Sequence, residues 1–365
     1  MIDRETGEER WRYFLWLCTA LKSFVDPAQY PAQTIEWPAS PGETVRLVEM
    51  MDGHKISPAL ASILGDVATV PSEVKDHLHA VHWLNGQRND TILAGIATIG
   101  RQLAMQGIDA IFLKGAASLV SGLYTDPATR FLGDIDLLVA PQEAEGASRA
   151  LMQCGFTEIA VKPASLFPRN RHHLAMQRNP DTGVGVEIHF AVLAPMSGAA
   201  LDGEALRRSA VSVSFRGSTY RVPTIEDRVL HNVIHHQITD GFYHRRSCSL
   251  RQILDLALLR RDGEVSTQQI LQRRDIPAKQ RAAIEHGIHL TAILGPSPDS
   301  GELVDRAIRR LEHGIRRPRN HIGIVAKSYL HELRSRPLGI VNFLLPSRWP
   351  GRIRHLRSAL KRPHY

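Results

Sequence analysis

Two aspartates one residue apart, Asp134 and Asp136, sit in the otherwise apolar stretch Phe131-Leu-Gly-Asp-Ile-Asp-Leu-Leu-Val139 and constrain this chain more than any other feature. In a β-strand, residues i and i+2 share a face, so the two carboxylates project side by side while Ile135 and Leu137 point the other way, into a core. Two ionised carboxylates a few ångströms apart repel, and the arrangement calls for positive charge between them. A divalent cation meets that need, and oxygen-only ligation favours Mg²⁺ or Mn²⁺ over zinc. Paired carboxylates of this kind suit metal-assisted phosphoryl or nucleotidyl transfer. A strand end with two solvated acids is the plainer alternative, and the flanking segments weigh against it.

Upstream, Asp109-Ala-Ile-Phe-Leu113 reads as a short strand that runs through Lys114-Gly115 into a short helix over Leu119–Tyr124. A strand entering a helix through Lys-Gly presents free backbone N–H groups and a positive dipole end, a ready anion site. Gly115 permits close approach of a phosphate to the backbone, and Lys114 adds a mobile positive charge. Downstream, Gly183-Val-Gly-Val-Glu-Ile-His-Phe-Ala191 alternates, with Gly185, Glu187 and His189 on one face and Val184, Val186, Ile188 and Phe190 on the other. A strand pairing beside the first brings Glu187 in as a third carboxylate.

In order, the chain carries Leu113-Lys-Gly115, Tyr124, Arg130, Asp134-Ile-Asp-Leu-Leu-Val139, Gly155-Phe156 and Val186-Glu-Ile-His189. This series resembles the polymerase-beta-like nucleotidyltransferase superfamily, and more closely its bacterial branch of uncharacterised nucleotidyltransferases. The resemblance spans roughly residues 85 to 260. It implies triphosphate contact at Gly115, metal ligation by Asp134 and Asp136, and Glu187 as the third acid. Two departures stand out: Gly115 is followed by Ala116 rather than Ser or Gly, and the interval from Gly115 to Asp134 exceeds the superfamily's usual spacing.

The implied chemistry follows from charge. In-line attack on the α-phosphorus of a nucleoside triphosphate builds negative charge on the entering and leaving oxygens, which two metals clamp. Asp134 and Asp136 hold the metals in this reading, and Glu187 completes the site next to the acceptor hydroxyl, where it can also help deprotonate it. Arg130 is a planar bidentate donor suited to the β- or γ-phosphate. His189 orients Glu187 or the acceptor. Removing both aspartates is expected to leave the fold intact or slightly more stable, because their mutual repulsion disappears.

At 365 residues the chain is long enough for two or three substructures and a substantial core. Its three cysteines, Cys18, Cys154 and Cys248, are widely spaced and odd in number, which argues against a disulfide framework or a cysteine-rich zinc site. The charged start Met-Ile-Asp-Arg-Glu is unlike a secretory leader, and no apolar run approaches a membrane span. The expected location is a reducing cytosol, with docking of the C-terminus onto the core favoured and peripheral contact at a membrane as its alternative. At that terminus, Gly301 to Tyr365 holds 15 Lys and Arg against 4 Asp and Glu, a surplus of 11 that exceeds the +8 of the whole chain. Basicity is therefore a property of this end alone. Within it, Ile353, Leu356 and Leu360 form one apolar stripe on a basic segment, preceded by the apolar Leu338–Leu345. Such a helix suits an anionic surface or a fold-back onto the core.

The expected class is α+β, a small mixed β-sheet nucleotidyltransferase core flanked by N-terminal and C-terminal helical regions. The divisions fall at 1–84 (helical), 85–222 (catalytic core), 223–336 (helical) and 337–365 (basic amphipathic tail). Thr224-Ile-Glu-Asp227 opens one C-terminal helix, and Leu250 to Leu259 forms another in which Arg251 and Asp255 stand at ion-pair spacing. His231 and His235 are also four apart but have no evident third ligand, and read as a polar seam; His172-His173 lies within reach of the site. The function expected is Mg²⁺- or Mn²⁺-dependent transfer of a nucleoside monophosphate from a nucleoside triphosphate, ATP first among them. The acceptor is left open among small molecules, saccharides, peptides, proteins and RNA. The alternative is a non-catalytic regulatory protein that binds nucleotide or RNA on the same fold.

Overall fold

A computed structural model describes residues 6–159, 172–194, 201–263, 265–273, 276–295 and 301–318. The basic tail at 337–365, its apolar stripe and Leu338–Leu345 lie outside the described residues. No helix among the described residues is long and apolar enough to cross a membrane.

The N-terminal helices have clear local causes. Helix α1 (Gly7–Val25) starts at a reciprocal cap between Thr6 and Glu9, and α2 (Pro41–Gly53) starts at Ser40 and Glu43 with Pro41 in its first turn. A third helix, α3 (Ser57–Leu64), is apolar on nearly every side and is buried accordingly. Helix α4 (Ser72–Met105) runs 34 residues without a break. Position 84, the expected end of the N-terminal region, lies inside α4, so one helix serves both the N-terminal region and the sheet.

The next segment builds the sheet. Strand β1 (Ile111–Phe112) passes directly into α5 (Lys114–Val120), and β2 (Asp134–Leu138) follows after a short turn at Pro127–Thr129. Helix α6 (Ala144–Gln153) ends at Gly155, whose φ of 82° is the left-handed conformation a glycine adopts freely. Strands β3 (Thr157–Glu158), β4 (Gln177–Arg178) and β5 (Gly185–His189) complete one half. After α7 (Gly203–Ser209), the hairpin β6 (Val211–Phe215) and β7 (Ser218–Val222) closes the other edge. The order β3-β4-β5-β2-β1-β7-β6 is a mixed seven-stranded sheet with the aspartate strand at its centre, the α+β architecture expected.

The C-terminal helices are α8 (Ile225–Val233), continuing into a π-helical turn at Ile234–Thr239, then α9 (Phe242–Arg245), α10 (Leu250–Gly263), α11 (Thr267–Leu271), α12 (Ala278–His289) and α13 (Glu302–Arg316). Strand pleating sorts the two sheet faces. Phe112, Ile135, Leu137, Val139, Val186 and Ile188 join α4 and α6 in one core, whereas Ile111, Leu113 and Leu138 join α8, α10 and α12 in another. The acids share the second face, looking toward α8 and α10. A third core packs α1 to α3 against α10 and α13.

Candidate active site

β2 and β5 are parallel neighbours in strict register, with Asp134 opposite Gly185, Asp136 opposite Glu187 and Leu138 opposite His189. Because alternate residues share a face, this pairing brings Asp134, Asp136, Glu187 and His189 to one surface of the sheet. The oxygen or nitrogen atoms of Asp136, Glu187 and His189 come within 4.8 Å of one another, a spacing that fits a single divalent cation. Asp134, at the start of β2, is not a member of that group.

Asp136 is only 4% exposed, so its charge must be answered by the protein. Lys114 Nζ donates to Asp136 Oδ1 at 2.6 Å, and His189 Nε2 lies 2.9 Å from the same oxygen. Burial works against the charged form, but the Lys114 ammonium and the His189 hydrogen bond outweigh it and hold the Asp136 carboxyl well below its usual range. Burial opposes the Lys114 charge too, and Asp136 nevertheless keeps it above the ordinary lysine value. Asp134 moves the opposite way: burial, then repulsion from Asp136 and Glu187, raise its pKa. Removing Asp136 would therefore leave a part-buried ammonium without its counter-charge rather than relieve strain, which corrects the expectation that both acids are dispensable to the fold. Only Asp134 fits it.

Lys114 has φ 47°, a conformation that costs a residue with a Cβ about 1–3 kcal/mol. That twist turns β1 into α5 without a loop and delivers the ammonium to Asp136. Gly115 is buried, and a Cβ there would collide with the guanidinium of Arg130 and with Leu132. Its lack of a side chain thus accommodates protein atoms.

Arg130 is engaged rather than free. Its Nε and Nη2 donate to Asp255 Oδ1 and Oδ2 at 3.2 and 2.7 Å, and Nη1 donates to the Phe131 carbonyl at 2.7 Å. Tyr124 adds its hydroxyl to Asp255 Oδ1 at 2.6 Å. Asp255 thus pairs with Arg130, and Arg251 forms no ion pair among the described residues, although intrahelical pairing was the expectation from spacing. The segment before β2 is further fixed by two buried asparagines one turn apart on α4. Asn85 Nδ2 donates to the Ala128 and Arg130 carbonyls at 2.7 and 3.0 Å, and Asn89 Nδ2 to those of Pro127 and Arg130 at 2.6 and 2.8 Å.

A cavity of about 320 Å³ opens over Asp134 and Asp136. Its lining includes Lys55, Lys114, Arg130, Arg228 and Arg251 together with Asp134, Asp136 and Asp255. Lys55 comes from the turn before α3 and lies 4.9 Å over the Phe131 ring, while Arg228 on α8 reaches Ser118 Oγ at 3.5 Å. Arg251 Nε is buried without a partner, and burial followed by the charge of Arg130 lowers its pKa. The same lining carries the polar groups His231, Asn232, His235 and Gln252, from α8, its π-helical continuation and α10. His172 and His173 do approach the site, their rings 5.1 and 5.3 Å from that of His189. Of these groups, Lys55, Arg228, Asn85 and Asn89 carry no local signal in the sequence, since their roles depend on contacts with distant segments.

The fold and site define an α+β protein with an acid–histidine cluster on its central strands, set beneath a largely cationic cavity. The chain belongs to the uncharacterised nucleotidyltransferase family, whose profile matches residues 40–295 and so takes in the turn that supplies Lys55 and the helix that supplies Arg251. No curated protein matches the chain.

Proposed function

We propose that the protein transfers a nucleoside monophosphate from a nucleoside triphosphate, ATP first among them, to an acceptor hydroxyl, with Mg²⁺ or Mn²⁺ held at Asp136, Glu187 and His189. The observation that carries this reading is the register of Asp136 against Glu187, with His189 beside them, directly under a cavity with surplus positive charge. A bound divalent cation would supply charge neutralisation at the entering and leaving oxygens. Two carboxylates and an imidazole suit such an ion, and the nitrogen ligand tilts the preference toward Mn²⁺. Asp134, next to this group and raised in pKa by burial and then by the neighbouring carboxylates, would serve a second cation.

The polyphosphate belongs beside the cationic groups of the lining. Lys55 and Arg251 exceed what Asp134 balances once Lys114 is paired with Asp136 and Arg130 with Asp255. Arg130 and Gly115 then act together, the glycine admitting the guanidinium that lines the phosphate side. Superfamily kinship with the polymerase-beta-like enzymes is part of the same proposal. The reading is tested by titrating the chain with ATP, with and without Mn²⁺, while monitoring pyrophosphate. Metal-dependent binding followed by pyrophosphate release supports transfer. One observation favours the non-catalytic alternative: Lys114 and His189 already satisfy Asp136 without any cation. ATP binding that is indifferent to Mn²⁺ and releases no pyrophosphate would select it.

A further inference from the structure

The part of the cavity lined by α8 and the π-helical turn that follows it contains a second device, built by that turn. In an α-helix, side chains five apart do not meet, whereas a π-turn closes on the fifth residue. Here the Asp240 N–H donates to the His235 carbonyl at 2.8 Å, and the widened turn sets His235 Nδ1 3.3 Å from Asp240 Oδ2. Asp240 is secured by its own neighbours: Arg245 Nη2 donates to its carbonyl at 2.6 Å, and Gln252 Nε2 approaches Oδ2 at 3.5 Å. A carboxylate on Nδ1 keeps the proton there and leaves Nε2 with a free lone pair. The His235 side chain is 28% exposed and lines the same cavity as Asp134, Asp136 and Lys114.

The company His235 keeps points to the ligand on this side. His231, Asn232 and Gln252 are neutral hydrogen-bonding groups, and two of their polar atoms, His231 Nε2 and Asn232 Oδ1, are buried without a protein partner. Asp240, beside them, is engaged by His235. This part of the lining suits hydroxyl groups.

We propose that His235 is the general base for a hydroxyl-bearing acceptor seated against His231, Asn232 and Gln252, and that Asp240 is the residue that positions it. This rests on the nucleotidyl-transfer reading. The acceptor O–H proton passes to His235 Nε2 as the acceptor oxygen bonds to the α-phosphorus. The bond from that phosphorus to the bridging oxygen breaks, and its electron pair leaves with pyrophosphate. The proton on His235 is then released to solvent.

The test uses the full chain with ATP, Mn²⁺ and glycerol as the hydroxyl probe. His235→Gln keeps a hydrogen-bonding side chain but no base, and is expected to lower pyrophosphate release about 100-fold or more while leaving ATP affinity unchanged. Long-range ¹⁵N spectra of histidine-labelled protein, with His235 assigned by its absence in that variant, should show Nδ1 protonated and Nε2 bare. Asp240→Asn should shift this balance toward the Nε2-protonated tautomer and lower the rate without changing ATP affinity. A His235→Gln variant that turns over at the wild-type rate, while Glu187→Gln is silent, overturns this inference alone. An Nε2-protonated His235 in the wild type also overturns it. A wild-type chain that releases no pyrophosphate overturns the transfer reading and this inference together.

Discussion

Acidification should loosen helix α10. Two buried histidines accept its first backbone N–H groups: Leu250 N–H donates to His54 Nδ1 at 3.3 Å, and Ser249 N–H to His236 Nε2 at 2.9 Å. An acceptor nitrogen cannot carry a proton, so each ring must stay neutral. Burial lowers the pKa of His54 to about 4 and of His236 to about 3, and lowers that of buried His286 to about 4 as well. Each folded-state value lies below the ordinary 6.5, so the unfolded chain binds more protons between the two. Stability is therefore fully present above pH 6.5 and falls as pH drops toward 4. At pH 5 the difference is about 2 kcal/mol for each ring, or roughly 6 kcal/mol for the three, an upper figure against a typical total of about 5–15 kcal/mol. Urea unfolding followed by circular dichroism from pH 7.5 to 4.5 would measure it. The variants His54→Asn and His236→Gln place an amide oxygen where the accepting nitrogen was, keeping the bond without the titration. Each should remove its own share of the loss, about 2 kcal/mol between pH 6.5 and 5. An unchanged slope in the double variant would refute the assignment.

Two further predictions concern the support of the aspartate strand. Asp255→Asn leaves the buried Arg130 guanidinium without its counter-charge and should cost about 3–5 kcal/mol, whereas replacing both by apolar residues (Arg130→Met with Asp255→Leu) should cost markedly less than the sum of the singles; denaturant titration of all four proteins reads this, and additive losses would contradict it. Gly115→Ala places a methyl group against the Arg130 guanidinium and Leu132 and should destabilise by about 1–3 kcal/mol, visible as a lower thermal midpoint even in the absence of nucleotide; a neutral effect would mean the space beside Gly115 is open.

Period-two alternation made the central strands legible. Gly185-Val-Glu-Ile-His189 separates polar from apolar residues, and Asp134-Ile-Asp-Leu-Leu138 does so up to Leu138, which joins the acids' face, so a one-residue slip of either strand would bury the wrong set. The helix caps at Ser40 and Thr224 are equally local. The hairpin also carries its own signal, Val211-Ser-Val-Ser-Phe and Ser218-Thr-Tyr-Arg-Val around Arg216-Gly217, whose φ values of 47° and 76° suit a two-residue turn. That β7 then lies parallel to β1 is a tertiary fact with no local marker. Partner choice was least legible. Arg130 and Asp255 are 125 positions apart, and a nearer candidate, Arg251, stood one helical turn from Asp255. Likewise, the charge next to Asp136 suggested a cation, whereas the structure supplies Lys114 from the turn after β1. The His235–Asp240 contact requires a π-turn, which spacing rules for α-helices do not anticipate.

The central claim is that Asp136, Glu187 and His189 hold a divalent cation used in nucleotidyl transfer. Glu187 tests it most directly, because its side chain is 21% exposed and its removal strands no part-buried charge, unlike that of Asp136. The measurement is Mn²⁺ binding by electron paramagnetic resonance, alongside pyrophosphate release from ATP, for the wild type and Glu187→Gln at matched thermal stability. The account predicts that the wild type binds Mn²⁺ and releases pyrophosphate, and that the variant loses both by about 100-fold or more, in line with the loss of a metal-site group. A folded Glu187→Gln protein that binds Mn²⁺ and turns over like the wild type would contradict it.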